Sequence, residues 1–127
     1  PRNAFLPHNY PRECVVYTGT HDNDTTRGWL DKAGADERAF MAEYLGLPPS
    51  AGSAELVEGL VREALKSVAD LAVIPAQDLL GLGTEARMNI PSTLGGNWAW
   101  RLESDALDAG LAERLARMTR LYARSKD

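Results

Sequence analysis

Two stretches of this 127-residue chain hold residue types that could do chemistry. The first, Tyr17 to Trp29 (YTGTHDNDTTRGW), places His21, Asp22 and Asp24 directly after an apolar run, Cys14-Val15-Val16-Tyr17. The second follows the apolar run Leu71-Ala72-Val73-Ile74 and holds Gln77 and Asp78, with Arg87 and Asn89 in the loop beyond. Such a mixture of carboxylate, imidazole and amide suits a neutral, hydroxyl-rich solute, because one carboxylate can accept hydrogen bonds from two vicinal hydroxyls. Alternatively, His21, Asp22 and Asp24 could bind a divalent ion and activate water for hydrolysis. Only two histidines are present, and no H-x-x-x-H or cysteine-pair spacing supports zinc. Asp24, followed by Thr25 and Thr26, also reads simply as the N-cap of a helix running to about Lys32 and ended by Gly34.

Both groups need a scaffold that delivers them to one place. Each apolar run is β-branched or aromatic and short, so each is predicted to be a strand. The second, continuous and closed by Pro75, predicts a strand buried on both faces and therefore parallel to the first. Between them lie a predicted helix from about Asp36 to Leu45 and a longer one capped by Ser53. In the latter, Leu56, Val57, Leu60, Val61, Ala64, Leu65 and Val68 repeat along one face. Strand, helical region, strand is a βαβ unit, and in α/β proteins ligands bind at the carboxyl edge of the sheet.

The remaining segments are read more simply. Gly81-Leu82-Gly83 lacks the spacing of phosphate-binding loops. Thr84 to Met88 could form one helical turn with Thr84 as cap. Trp98 and Trp100 belong either to the core or to a stacking face for a sugar ring. A final amphipathic helix is expected from about Ala106 to Arg124. The amino-terminal Pro1 to Glu13, rich in proline, is expected to be an irregular loop, with His8 either a turn residue or a group facing the same mouth as His21.

Composition narrows the partners. The chain is 44% hydrophobic and 25% charged with a formal charge of −4, and it has no Lys/Arg block, so neither nucleic acid nor an anionic membrane surface is an expected partner. It contains no stretch of 18 apolar residues and no secretory leader, which together with the single Cys14 fits a reducing, cytoplasmic setting. No cofactor is called for. Beginning at Pro1 without methionine, the sequence reads as cut from something longer.

The segments LPHNYP (Leu6 to Pro11), VVYTGTHDNDTTRGW (Val15 to Trp29), IPAQDLLGLGTEARMNIP (Ile74 to Pro91) and NWAWRL (Asn97 to Leu102) together resemble the carboxyl-terminal part of a 4-α-glucanotransferase of the amylomaltase, or disproportionating enzyme, family. The resemblance implies a retaining enzyme on a (β/α)₈ TIM barrel that moves a 1,4-linked α-glucan segment to the 4-hydroxyl of an acceptor sugar. Residues 1–127 would then be an α/β, helix-rich fragment of that catalytic domain, its last two strands and their helices. By resemblance Asp22 is the catalytic carboxylate that stabilises the transition state, His21 a neighbouring hydroxyl ligand, and Asn89, Gln77 and Asp78 are substrate-binding candidates, to which the loop reading adds His8. The nucleophile and the acid/base would lie on earlier strands, so the chain alone is expected to be inactive. A non-catalytic glucan-binding or assembly module is the alternative. Strands without neighbours expose their edges, so self-association is expected, and a monodisperse monomer at high concentration would count against it.

Overall fold

The computed structural model describes residues 2–125. The predicted strands form β1 (Val15–Tyr17) and β2 (Leu71–Val73), and they pair in parallel with Val15 opposite Leu71, Val16 opposite Ala72 and Tyr17 opposite Val73. A parallel pair needs a long crossover. Here the crossover carries α1 (Thr26–Leu30), α2 (Ala35–Tyr44) and α3 (Ser53–Lys66). After β2 come α4 (Ala76–Leu79), a 3-10 turn at Thr84–Ala86, and α5 (Ala109–Leu121).

The expectation that β2 is buried on both faces is not met. Side chains alternate along a strand, and the helices pack against one side, where Val16 is 5% exposed and touches Ala64 and Ala69. The other side, formed by Val15, Tyr17, Leu71 and Val73, is about half exposed in every member. Beside β1, an open groove of about 470 Å³ is lined by Phe5, Tyr10, Tyr17, Trp29, Phe40 and Tyr44 among others.

Helix α3 is the centre of the packing, as its periodicity predicts. Leu56 and Val57 pack with Leu30 of α1 and Ala42 of α2; Ala64 packs against the sheet; Val61 and Leu65 pack with Met118 of α5. Truncating a fully buried leucine such as Leu56 costs about 2–5 kcal/mol in comparable cores. Polar bridges fix α5 in place: Arg114 donates to Glu58 of α3 and to the Leu79 carbonyl of α4, each at 2.7 Å. Arg124 donates to the Leu65 and Ser67 carbonyls, satisfying the end of α3.

Several element ends differ from expectation. Thr25, not Asp24, is the N-cap of α1, its hydroxyl accepting from the Gly28 amide at 3.0 Å, and the helix stops at Leu30. Gly52, not Ser53, caps α3, and Glu55 reaches back to accept from the Gly52 amide at 2.8 Å. The Ser53 hydroxyl is taken instead by Asp31 and Arg38. Gly34 likewise begins α2 and does not end α1. Val68 falls outside α3 and is exposed, since Ser67 is already extended. Helix α5 is shorter than expected because Asp108 caps it, accepting from the Leu111 amide.

Candidate functional site

The residues Thr20 to Asn23 form a turn immediately beyond β1. Asn23 closes it, its side-chain oxygen accepting from the amide and the hydroxyl of Thr20 at 2.8 and 2.9 Å. This is the local chemistry for which asparagine is favoured in turns. His21 and Asp22 sit at the turn's tip with both side chains more than half exposed, 3.5 Å apart at Nε2 and Oδ1.

The loop after α4 comes back over this turn. The Asn89 side-chain amide donates to Asp22 Oδ1 at 2.7 Å, and the Asn89 main-chain amide donates to the His21 carbonyl at 3.1 Å. Arg87 donates from Nη2 to the Asp22 carbonyl at 2.7 Å and from Nε to the Asn89 carbonyl at 2.8 Å. Among the described residues, Oδ2 of Asp22 accepts no hydrogen bond. The exposed carboxylate is thus held by one oxygen and offers the other.

Trp98 completes the surface. Its ring lies on His21, centroids 5.1 Å apart, and its residue is 51% exposed, so it is not the core residue that its size suggests. Its φ of 62° is rare for a large side chain. Such a conformation costs roughly 1–3 kcal/mol and persists only when its surroundings impose it. They do so here: the Trp98 amide donates to the Met88 carbonyl at 2.7 Å, Arg101 donates to the Trp98 carbonyl, and Asn97 ties the loop through Ile90 and Thr93. A local signal for this arrangement is Gly95-Gly96, two positive-φ glycines that let the loop turn before Asn97.

The other acids near the turn are engaged elsewhere. Asp24 pairs with Lys32 at 2.6 Å and accepts from Thr84 and the Thr25 amide, which locks α1 to the 3-10 turn. Gly28 is required at that junction, because a Cβ there would meet Thr84 Oγ1, Asp24 Oδ1 at 2.6 Å and the Thr84 nitrogen at 2.9 Å. Asp78 is 4% exposed. Its carboxylate accepts from the Thr26 amide and hydroxyl, each at 2.8 Å, and from the Thr18 hydroxyl. Gln77 donates to the Ala86 carbonyl at 3.2 Å. His8 lies against Tyr44 of α2, with Nδ1 2.9 Å from the phenol oxygen, and is not grouped with His21.

Because Asp24 faces Lys32 and Thr84, the three-ligand metal set of His21, Asp22 and Asp24 is not assembled. Among the described residues no group of three or more His, Cys, Asp or Glu is placed to hold a metal ion. His21, Asn23, Asp24, Gln77, Asp78 and Arg87 do border a cavity, but of only about 140 Å³. Ligand pockets typically run about 300–1,000 Å³. The candidate site is therefore the open shelf of His21, Asp22, Asn89 and Trp98, and the cavity lies in its supports.

Burial pushes the Asp24 carboxyl up, but hydrogen bonds from Lys32 and Thr84, the Lys32 charge and the Thr25 amide outweigh this and hold it below its ordinary 3.8. A depressed folded value contributes stability that is present above the unfolded value of about 3.9 and is lost as pH falls through the folded one. Thermal midpoints of wild type and Asp24→Asn should accordingly differ at pH 7 and converge as pH falls below about 4. A gap that stays constant down to pH 2 would show that the pairing adds nothing.

A model of the 4-alpha-glucanotransferase family matches residues 1–107. The chain is 52% identical over 121 residues to a 4-alpha-glucanotransferase of Thermus thermophilus, covering 91% of this chain and 24% of that protein. It is 45% identical over 123 residues to that of Clostridium butyricum, covering 96% and 25%. In structure it is similar to an amylomaltase from Streptococcus agalactiae solved in complex with acarbose, with a TM-score of 0.87 and 31% identity, covering 95% of this chain and 24% of that one. The chain thus spans about a quarter of the length of these relatives. Among its described residues, no helix is long and apolar enough to cross a membrane.

Proposed function

Because this chain belongs to the 4-alpha-glucanotransferase family, we propose that it forms part of an enzyme transferring a 1,4-α-glucan segment to the 4-hydroxyl of an acceptor sugar with retention of configuration. Residues 1–127 supply the last two strands of its barrel and the shelf on which the sugar at the reacting bond rests. The observation that carries this reading is the Asp22 carboxylate, half exposed at a parallel strand's carboxyl end, with Oδ1 fixed by Asn89 and Oδ2 open. Active residues of barrel enzymes stand at that end of the strands.

Glycosidic cleavage passes through an oxocarbenium-like state. A carboxylate fixed before the reaction favours the positive charge that develops on the ring, and it needs no reorganisation to do so. Its free oxygen can also accept from vicinal sugar hydroxyls, with His21 as a neighbouring ligand and the Trp98 ring as an adjacent apolar face.

A retaining mechanism also needs a nucleophile and an acid/base about 5–5.5 Å apart. Asp24 and Asp78 are poorly suited to either role, one being paired with Lys32 and the other buried among threonines. Both roles therefore belong to other strands of the barrel, and the half-exposed face of Val15, Tyr17, Leu71 and Val73 is the one that those strands would cover. The acarbose bound in the amylomaltase neighbour supports a glucan substrate class.

The test is disproportionation of maltotriose, read as release of glucose and longer maltodextrins, by an enzyme of full family length carrying these residues. Transfer that depends on the Asp22 carboxylate is the expected result. Hydrolysis without transfer, or transfer indifferent to Asp22, would overturn the reading.

A further inference from the structure

We propose that Arg87 is the positioning residue of this site, a clamp that sets the orientation of the Asp22 carboxylate without touching the sugar. The inference rests on the assignment of Asp22 as the transition-state carboxylate.

The site is made of two loops that are 65 residues or more apart in sequence, one after β1 and one after α4. The Asn89 amide on the His21 carbonyl, at 3.1 Å, joins them at one main-chain point, about which they can still pivot. Arg87 adds a second main-chain tie that removes the pivot, with Nη2 on the Asp22 carbonyl and Nε on the Asn89 carbonyl of its own loop, at 2.7 and 2.8 Å. These are charge-assisted bonds from one rigid plane. Once the two main chains are fixed relative to each other, the Asn89 side chain meets Asp22 Oδ1 at 2.7 Å, and the open oxygen acquires a set direction.

The geometry explains why the residue is arginine. Lysine has one donor atom on a flexible stem, whereas the guanidinium presents separate N–H groups in a fixed fork. The fork holds the two carbonyls from separate nitrogens in one plane, and so fixes their relative direction as a single ammonium nitrogen does not. Both acceptors are main-chain oxygens, so the bonding capacity of the Asp22 side chain is left for Asn89 and the substrate.

The experiment compares wild type, Arg87→Ala, Arg87→Lys and Asp22→Asn in the enzyme of full family length, with maltotriose as substrate. A carboxylate misplaced by about 1 Å is expected to lower kcat roughly 10- to 100-fold. KM should hardly change, because the sugar is not an Arg87 ligand. Millimolar guanidinium should restore part of kcat to Arg87→Ala and none to Asp22→Asn, a response that general destabilisation would not produce. Should Arg87→Ala fail to fold, Arg87→Lys carries the test through the same split of kcat from KM.

Wild-type kcat in the Arg87 variants, a rise in KM alone, or a loss without guanidinium rescue would each overturn the clamp. If Asp22→Asn itself retains activity, it is the reading of Asp22 that falls. Loss in Asp22→Asn with wild-type Arg87 variants would remove the clamp alone.

Discussion

Asp22→Asn is expected to lower kcat for maltotriose disproportionation by about 10²- to 10³-fold, the loss typical when one fixed group that stabilises transition-state charge is removed. The substitution is informative because of what it preserves. The new amide keeps a carbonyl oxygen that can still accept from Asn89, so the turn and the loop over it stay in place. The charge is lost, and the open oxygen becomes an NH₂ group that donates where the carboxylate accepted. With the side chain about half exposed and no buried contact removed, the thermal midpoint should hardly move, in line with the small effect of most surface substitutions, about ±0.5 kcal/mol. Activity would then fall while stability does not. Activity within a few-fold of wild type would mean that the developing charge is stabilised by another group, and the role given to Asp22 would be lost.

Asp78 should behave in the opposite way. Asp78→Ala is expected to destabilise the fold by about 3 kcal/mol, since it strips the partner from a buried amide and two hydroxyls at once. Asp78→Asn should cost only about 1 kcal/mol, because its oxygen can face the Thr26 amide while the threonine hydroxyls rotate to accept from its NH₂ group. Denaturant midpoints read both values. We therefore treat Asp78 as the brace that ties the end of β1 and the start of α1 to α4. If Asp78→Ala left stability unchanged and raised KM for maltotriose, the carboxylate would instead be a sugar ligand.

The contrast between these two aspartates is a property of the folded molecule. Both follow an apolar strand in the sequence, both stand among amides and hydroxyls, and both were readable as hydroxyl ligands. What separates them is where Thr18 and Thr26 come to lie. The bonds from Thr26 to Asp78 join residues 52 apart, and that from Asn89 to Asp22 joins residues 67 apart. No local pattern reports such pairings. The same holds for His8, placed beside Tyr44 by the packing of the amino-terminal loop on α2, and for Arg87, whose fork has meaning only once two loops are side by side.

The amino-acid sequence by itself determined the order of elements, the amphipathic face of α3 and the parallel pairing, because periodicity, chain length between strands and turn chemistry act over a few residues. It also determined that His21 and Asp22 stand on a turn at a strand's carboxyl end, since Val15 to Tyr17 must be extended and Asn23 closes the turn on Thr20. Tertiary structure decided which N-cap was used, as the carboxylate of Asp24 gains more from Lys32 and Thr84 than from capping α1. It decided that Trp98 leaves the core to lie on His21. These outcomes depend on competition among distant partners for the same hydrogen bonds and the same apolar surface, which is settled only when all of them are in place.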